Sequence, residues 1–376
     1  VNVMRMSSFM RGIGAVGLSA ILAVGALGVS AAKAVDFSGE RITIIVPFNE
    51  GGGTDSYTRF MLPYFQKYLP GNPKIIVQNK PGAGGILGGN LFQQKAKADG
   101  TWVFALSTST ISNFALGDPR VKFKLDEFIP VILSPRGTMQ YVRNDLGTQD
   151  ISDLKGKIEK IKSFPKDKLV FGGKTPTSAG LSLRVGLSLL GIETKDVWGM
   201  KGNGPMALAF ERGEFTINFD HTLSYKNNRK KLHADGTAVP LYTYGVINEE
   251  GEIVRDPVWP NVPTWREAYK AVHGKEPSGD GYDAFISLFH MTVTMSKSWN
   301  LPAGTPKDVV EAYRTAARKM MADPDFQAKR AKIFGPFEQT IGDAAIGIRN
   351  KATTIPPNAR KWLSKYVKER YDITIE

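Results

Sequence analysis

The 376-residue sequence contains no cysteine, which excludes disulfide bridges, thiolate nucleophiles and cysteine-ligated metals. Histidine is also scarce, and the four histidines, at positions 221, 233, 273 and 290, lack the spacing of a metal site. The enzyme signatures G-x-S-x-G and H-E-x-x-H do not occur. We therefore expect a protein that is not an enzyme, holds no metal or cofactor, and is stabilised by packing alone.

Two glycine-containing runs come close to nucleotide-binding signatures without completing them. The run Gly173–Thr175 resembles the end of a P-loop, but the glycine required five positions before Gly173 is replaced by Lys168. The run Gly82–Gly84 resembles the start of a dinucleotide fingerprint, but its third glycine is replaced by Leu87. Both departures argue against a bound nucleotide.

Long hydrophobic runs are missing as well, except for one near the start of the sequence. Residues 12–29 form a Gly/Ala-rich apolar run that follows Arg5 and Arg11 and precedes Ala32-Lys33-Ala34, a small-x-small cleavage pattern. This order is typical of a secretory signal peptide rather than of a lasting membrane span. We predict a cleavable signal peptide over residues 1–34, with an uncleaved anchor as the alternative.

Positive charge exceeds negative charge. The formal net charge is +13, and removing Arg5, Arg11 and Lys33, the charged residues of the first 34, leaves +10. The densest basic run, Lys226–Lys231, has no interleaved aromatic residue, so we expect no nucleic-acid binding. The surplus instead favours the approach of small anions.

The stretch Ile42–Arg59 is the most informative part of the chain. Its apolar start predicts a buried strand, Gly51–Gly53 predict a turn, and the apolar spacing after Thr54 predicts a helix. Three glycines leave backbone N–H groups uncovered beside the positive end of a helix dipole. We interpret this turn as a cradle for a carboxylate or phosphate, and a turn without a ligand is the alternative.

Two further predicted strands end in polar or glycine-rich turns. The strand Lys74–Gln78 precedes the turn Pro81–Gly85 and a helix, and the strand Thr101–Leu106 precedes Ser107–Thr110. This repetition predicts βαβ units in a mostly parallel sheet, and hence an α/β fold. Because ligands bind beyond the carboxyl ends of such strands, we expect the three turns to meet at one edge.

A second α/β pattern begins at Lys168–Phe171. A helix is favoured over Leu181–Leu190, and a strand at Phe215–Phe219 carries Asp220 and His221 at its end. The chain beyond residue 34 is long enough for two domains of ordinary size. We therefore expect two α/β domains.

The last third of the sequence adds three predicted elements. A short helix is expected at Thr264–Val272, and the apolar run Ala284–Met295 is interpreted as a buried strand. The amphipathic segment Asn358–Tyr371 predicts a helix that docks on the first domain.

Four residues near the predicted turns have open alternatives. Glu50 points away, forms an ion pair, or selects a ligand with an amine; Asp55 caps its helix, holds the glycine turn, or contacts the ligand. His221 lies beside a carboxylate without a partnered nucleophile, so contact with a ligand is favoured over catalysis. Trp198 belongs to the core or forms a lid over an aromatic ligand.

Six motifs follow one another along the chain. They are V-P-F-x-x-G-G-G-T-D at 46–55, N-K-P-G-A-G-G at 79–85, K-G-N-G-P at 201–205, F-D at 219–220, N-V-P-T at 261–264 and L-P-A-G-T-P-K-D at 301–308. Together they resemble the periplasmic solute receptors of tripartite tricarboxylate transporters, also called Bug or TctC-type receptors. The resemblance covers nearly all of the chain beyond residue 34.

This resemblance implies a Venus-flytrap fold of the periplasmic binding protein type II kind, in which the chain crosses twice between two α/β domains. We accordingly expect domain 1 at residues 35–140 and 243–376 and domain 2 at residues 141–242. The resemblance also implies a periplasmic location and a monomer that captures a small mono- or dicarboxylate, aliphatic or aromatic, and passes it to a membrane permease.

The resemblance further implies the ligand-binding residues, carried over by position. On the first wall they are Phe48, Asn49, Glu50, Gly51, Gly52, Gly53, Thr54, Asp55, Ala83, Gly84, Gly85, Ser107 and Thr108, and on the facing wall Thr175, Thr177, Ser178, Asp220 and His221. Glu50 and Lys174 depart from the family's pattern. Lys174 either pairs with a second carboxylate of a diacid or lies in solvent.

Two alternative functions remain at this point. A receptor that reports its ligand to a membrane sensor kinase, without transport, would use the same cleft. An exported enzyme on this fold would need an acid–base or nucleophile pair, which the sequence does not offer.

Overall fold

The computed structural model describes residues 34–248 and 250–375. The predicted signal peptide lies outside the described residues except for Ala34. Within the described ranges, no helix is long and apolar enough to span a bilayer.

Strands and helices alternate along the chain. The strands are β1 Arg41–Val46, β2 Lys74–Asn79, β3 Trp102–Ser107, β4 Ile129–Ser134, β5 Thr138–Arg143, β6 Val170–Gly172, β7 Lys195–Val197, β8 Ile217–His221, β9 Ala238–Thr243, β10 Val246–Ile247, β11 Ile253–Val254, β12 Lys297–Leu301 and β13 Thr340–Ile341. The helices are α1 Gly53–Tyr68, α2 Ile86–Lys95, α3 Thr108–Ala115, α4 Leu154–Lys162, α5 Gly180–Leu189, α6 Asn203–Glu211, α7 Thr222–Asn228, α8 Lys230–Ala234, α9 Trp265–His273, α10 Asp280–Phe289, α11 Lys307–Ala322, α12 Pro324–Arg330, α13 Asp343–Thr353 and α14 Pro357–Tyr371.

The first sheet has the strand order β13-β4-β12-β3-β1-β2. Strand β1 runs parallel to β2 and β3, whereas β12 runs antiparallel to β3 and β4, and β13 antiparallel to β4. The prediction of a mostly parallel sheet is therefore wrong here: the two pairs that β1 forms are parallel, but the three pairs that involve β12 or β13 are antiparallel. The sheet is mixed because β12 and β13 return from the last third of the chain.

Both faces of the first sheet are covered, as its continuous apolar strands require. Ile42, Ile44 and Val46 of β1 belong to the core formed with α1 and α11. Ile45 points to the opposite face and belongs to the core that contains Phe92 of α2. This alternation follows from the two-residue period of a strand.

The second sheet has the order β7-β6-β8-β5-β9 and is also mixed, with β5 antiparallel to β8 and β9. The chain passes from the first sheet to the second between Ser134 and Thr138 and leaves the second sheet after Thr243. The α/β fold is thus confirmed. The domain boundaries at 140/141 and 242/243 stay a prediction, and the first of them falls inside β5.

The predicted strand at Ala284–Met295 is wrong. This segment continues α10 and then forms a short π-helix over His290–Thr294. A continuous apolar run fits a buried helix as well as a buried strand. Two acidic residues in the first turn, Asp280 and Asp283, favour the helix.

The predicted helix near the end of the chain is α14, and it contacts both halves of the molecule. It packs along α10, and Arg360 donates to the carbonyl oxygen of Ala115 at the end of α3 at 2.8 Å. At its other end, the hydroxyl of Tyr371 donates to Asp196 of β7 at 2.7 Å. The predicted docking on the first domain therefore accounts for only part of the packing of α14.

Candidate ligand-binding site

A cavity of about 500 Å³ is lined by residues from both sheets. Its walls come from the residues that follow β1 and β3, from the end of β8, and from the start of β12. Lys297, the first residue of β12, pairs with Ser107, the last residue of β3. Because β12 is antiparallel to β3, its first residue lies at the same sheet edge as the end of the parallel strands.

The structure brings most of the predicted site residues to this cavity. Those that line it are Phe48, Asn49, Glu50, Gly51, Gly52, Gly53, Thr54, Ser107, Thr108, Lys174, Asp220 and His221. Ala83, Gly84 and Thr175 line a second cavity of about 490 Å³, which shares Phe48, Lys174 and Lys201 with the first. Asp55, Gly85, Thr177 and Ser178 line neither of the two cavities.

Asp55 holds the glycine turn instead of facing the cavity. Its carboxylate accepts hydrogen bonds from the backbone N–H of Gly51, from Arg59 and from Asn79, each at about 2.9 Å. Burial alone would raise the pKa of Asp55, but these hydrogen bonds outweigh burial and lower the pKa below its ordinary value. Of the alternatives weighed for Asp55, the turn-holding contact is the one observed.

Three other predicted residues also make structural contacts. Thr177 donates from its hydroxyl to Asn113 or Asp118, at 2.9 and 2.7 Å, and Ser178 donates to the carbonyl oxygen of Thr175 at 2.7 Å. Gly85 has a φ of +96° and lies against α3, so that a Cβ at this position would come within 2.3 Å of the Thr110 hydroxyl. These residues position the turns that surround the cavity: Thr177 and Ser178 do so through their hydroxyls, and Gly85 through its backbone conformation.

The first wall contains the N-terminus of α1. Gly52 is the residue before the helix, no side chain caps the first turn, and Gly51 adopts a positive φ of 69° that favours glycine. The first N–H groups of a helix have no intrahelical partner and attract an anion. Gly51, Gly52, Gly53 and Thr54 all line the cavity, as the cradle interpretation requires.

Two buried cations that the sequence gave no reason to select lie beside this helix end. Lys297 is 3 % exposed, and its Nζ donates to the hydroxyl of Thr54 at 2.9 Å. Arg136, in the connection between β4 and β5, is 5 % exposed and lies over the ring of Tyr57 at 5.5 Å. Burial lowers the pKa of Arg136 to about 10, and burial with repulsion from Arg136 and Lys174 lowers that of Lys297 well below its usual value.

A third buried cation, Lys174, lies on the facing wall. It follows β6, is 9 % exposed, and donates from Nζ to Asn203 at 2.7 Å. Burial lowers the pKa of Lys174 to about 8, although Asp220 acts in the opposite direction. Of the two alternatives for Lys174, a position in solvent is contradicted by this burial.

The carboxylate on the facing wall is already paired. Asp220 accepts hydrogen bonds from Arg229 and from Tyr141, both at 2.9 Å. Burial raises the pKa of Asp220, and the charge of Arg229 counteracts this. Its neighbour His221 has a buried Nδ1 without a hydrogen-bond partner, and burial with three nearby cations lowers the pKa of His221 well below its usual value. The imidazole is therefore neutral near pH 7.

Glu50 and Trp198 take different positions at the rim. Glu50 is exposed beside the glycine turn, and its charge acts on Arg59. Trp198 is half-buried, meets the ring of Tyr371 edge-on at 5.2 Å, and lines the second cavity. No cluster of His, Asp and Glu within residues 34–248 and 250–375 has the arrangement of a metal site.

Sequence reasoning missed Arg136 and Lys297 for a topological reason. The motifs predict site residues at the carboxyl ends of parallel strands, whereas Arg136 lies just before β5 and Lys297 begins β12, and both of these strands form antiparallel pairs. The strand β12 was itself not predicted, so nothing in the sequence indicated that Lys297 lies at the edge of the sheet. Lys297 is the first residue of β12, Lys297–Leu301, and a strand with Trp299 and Leu301 as its apolar residues gives only a weak signal in the sequence.

Comparison with known proteins agrees with this architecture. No family model matches the chain. A UPF0065 protein from the tcbD–tcbE intergenic region of Pseudomonas sp. (strain P51) is 26% identical over 299 residues, which is 77% of this chain and 76% of that relative. The protein BugT of Bordetella pertussis (strain Tohama I) is 35% identical over 101 residues, 26% of this chain and 30% of the relative. The comparisons support assignment to the Bug/TctC family.

Solved structures of a periplasmic binding protein and of two proteins with malate or adipate have the same fold. The periplasmic binding protein BugD has a TM-score of 0.63 at 20% identity and covers 88% of this chain and 97% of its own. MatC of Rhodopseudomonas palustris with bound malate has a TM-score of 0.61 at 20% identity, covering 86% and 97%. An R. palustris protein with adipate has a TM-score of 0.62 at 19% identity, covering 89% and 98%.

These likenesses confirm the predicted periplasmic-binding-protein fold. The family predicted from the sequence motifs is also the one that the comparisons support. BugD is a periplasmic binding protein, and the two R. palustris proteins are solved with malate and with adipate. This agrees with the expectation drawn from the missing catalytic signatures.

Proposed function

We propose that the protein is a periplasmic solute-binding receptor that captures a small carboxylate in the first cavity and delivers it to the permease of a tripartite tricarboxylate transporter. In this proposal residues 1–34 are removed on export and the receptor acts as a monomer. The related fold of proteins with bound malate and adipate supports the ligand class.

The observation that carries the proposal is the set of buried cations that face the cavity without a carboxylate partner. Arg136, Lys174 and Lys297 form no ion pair among the described residues, and Asp220 is already paired with Arg229. Burying a charge without a counter-charge is unfavourable. A carboxylate in the cavity supplies both the missing charge and hydrogen-bond acceptors for the amides at the start of α1.

Thermal unfolding of the purified protein with a panel of acids tests the binding step. The protein is first unfolded in denaturant and refolded, which removes any ligand retained from the cell. Aliphatic and aromatic mono- and dicarboxylates are compared with amines of the same carbon skeleton. A ligand at about 100 times its Kd stabilises the native state by about 2.7 kcal/mol, so we expect a clear rise in melting temperature for acids alone.

Absence of a shift with every acid, on protein that unfolds cooperatively, would contradict the binding step. The delivery step is tested separately in the source cell, where deletion of the gene should abolish uptake of the acid that binds. The parent gene should restore uptake and the Arg136→Met variant should not. Uptake that persists without the receptor would contradict delivery while leaving binding intact.

A further inference from the structure

The cavity has an excess of positive charge that a single carboxylate does not balance. Arg136, Lys174 and Lys297 line it from two walls, and each is at least nine-tenths buried. Glu50, the other acidic residue of the lining besides Asp220, is exposed at the rim. With Asp220 neutralised by Arg229, three buried cations face a ligand that must supply the compensating charge, and the exposed Lys201 and Lys332 add further positive charge to the lining.

The first two cations form one anion subsite at the start of α1. The Nε and Nη2 atoms of Arg136 are buried and have no hydrogen-bond partner among the described residues. Lys297 uses one of its three N–H donors, on the Thr54 hydroxyl, next to the glycine turn. Unused donors of Arg136 and Lys297 and uncapped amides of the 16-residue helix α1 therefore line one part of the cavity.

The third cation belongs to the other wall. Lys174 is positioned by its hydrogen bond to Asn203 at the start of α6 and lies 5.8 Å from the centre of the Phe219 ring. Its elements, β6 and the turn that follows, belong to the second sheet, whereas Lys297 begins a strand of the first. Lys174 therefore lines the cavity from the second sheet, and Lys297 lines it from the first.

We infer that the ligand carries at least two anionic groups, one held by Arg136 and Lys297 at the start of α1 and another held by Lys174 on the facing wall. This rests on the proposed function and adds the ligand's charge and the residues that recognise it. Two or three carboxylates, or an equivalent multiply charged acid, complete the charge balance of the cavity. Electrostatic complementarity of this kind selects the ligand by charge.

The test compares three acids built on the same three-carbon chain: butyrate, glutarate and tricarballylate, with one, two and three carboxylates. Their Kd values are measured by calorimetry near neutral pH on the refolded protein. We expect glutarate or tricarballylate to bind at least about tenfold more tightly than butyrate. The advantage should shrink as salt is added, since screening weakens charge–charge attraction.

Variants locate the second anionic group. Lys174→Met should weaken glutarate about 10- to 100-fold and leave butyrate nearly unchanged, because a single carboxylate occupies the subsite at α1. Arg136→Met and Lys297→Met should weaken both acids. Lys319→Met, an exposed position on α11 outside the lining, is the matched control and should change neither affinity.

Each outcome decides the inference. Butyrate that binds as tightly as glutarate and tricarballylate, or Lys174→Met that weakens all acids equally, overturns it and leaves the proposed function standing. Binding of none of the three acids also overturns it, and if no acid of the wider panel binds, the proposed function falls as well. Melting temperatures of the ligand-free Met variants at or above the parent's show that they are folded, because each removes a buried uncompensated charge.

Discussion

Lys174 shows how a single residue connects the protonation state of the cavity with its stability. The charged and titratable groups around it are Asp220 and His221 on β8 and Lys297 on β12. Burial makes the charged form unfavourable in the ligand-free protein and sets the pKa of Lys174 to about 8, below the 10.5 of an exposed lysine. An anion beside the ammonium group should raise this pKa again.

We therefore predict opposite effects of pH on stability and on affinity. Between about pH 8 and 10.5 the unfolded chain keeps the proton on Lys174 and the folded ligand-free protein loses it, so the contribution of Lys174 to stability increases with pH. The Kd for glutarate should rise over the same range, because the anion binds the protonated form. Melting temperatures and Kd values from pH 7 to about 9.5 measure both trends.

The control for this prediction is Lys174→Met, which cannot titrate. The difference between the parent and this variant isolates Lys174 from the other titrating lysines. A parent and variant with parallel pH profiles in both measurements would show that Lys174 does not titrate in this window. Proton uptake on binding, seen as a calorimetric enthalpy that depends on the buffer, gives an independent readout.

At the scale of elements, the sequence predicted the local units well and their arrangement less well. The helix predicted after the turn Pro81–Gly85 is α2, and the strand predicted at Phe215–Phe219 is β8, which begins and ends two residues later. These elements depend on near neighbours in the chain. Strand β12 does not depend on near neighbours in the chain. Its five residues lie between β3 and β4, and packing against these distant strands determines that they form a strand.

The site residues divide in the same way, into those that a local sequence pattern predicts and those that depend on distant segments of the chain. Residues in glycine-rich or polar turns were predictable because turns at the carboxyl ends of parallel strands commonly form ligand-binding sites. Arg136 and Lys297 depend on the antiparallel crossing of distant segments, which no local pattern contains. Thr177 was predicted as a ligand residue from the family resemblance, yet its hydroxyl donates to Asn113 or Asp118, more than fifty residues away in the chain.

The strand–turn–helix unit of β1 and α1 leads to a prediction at this scale. In Gly52→Val the new Cβ would approach the carbonyl oxygen of Asn49 to 3.1 Å, and the branched side chain would cover the amides at the start of α1. We expect glutarate to bind about 10- to 100-fold more weakly, since hydrogen bonds to a charged group are lost. Calorimetry measures the loss.

The matched control is Gly347→Val on α13, where an added Cβ meets no atom within 4 Å. This change should raise stability slightly, since valine has a higher helix propensity than glycine, and leave the Kd unchanged. If Gly52→Val binds glutarate like the parent, the anion does not lie on the amides of α1. The side chains of Arg136 and Lys297 would then carry the subsite without the helix.

At the scale of the whole molecule, hydrogen bonds join the two sheets beside the cavity. Asn113 of α3 accepts from Thr175 at 3.2 Å and from Thr177 at 2.9 Å, and both threonines follow β6 of the second sheet. Asp118, held by Arg120 at 2.7 Å, is the alternative acceptor for the single hydroxyl proton of Thr177, at 2.7 Å. The network therefore fixes the second-sheet turn against the first sheet beside the cavity.

Loss of this link should weaken binding of every ligand by the same factor. Thr177→Val keeps the side-chain shape and removes one hydrogen bond between the sheets, so the enclosing arrangement becomes less favourable by about 0.5–1.5 kcal/mol. We expect Kd values about 2- to 10-fold higher for butyrate and for glutarate alike. This pattern differs from that of Lys174→Met, which should affect glutarate alone. Small-angle scattering of the ligand-free variant should show a larger radius of gyration.

Thr58→Val provides the control for the closure prediction. The hydroxyl of Thr58 accepts from Trp299 at 3.3 Å inside the core of the first sheet, so its loss removes a buried hydrogen bond that does not join the sheets. This variant should unfold at a lower temperature and bind both acids with the parent's affinity. If Thr177→Val behaves in the same way, the link contributes to the stability of the fold and not to closure around the ligand. A change in affinity confined to Thr177→Val would instead establish that recognition in this molecule depends on two separable terms, the charge of the cavity and the enclosure of the ligand.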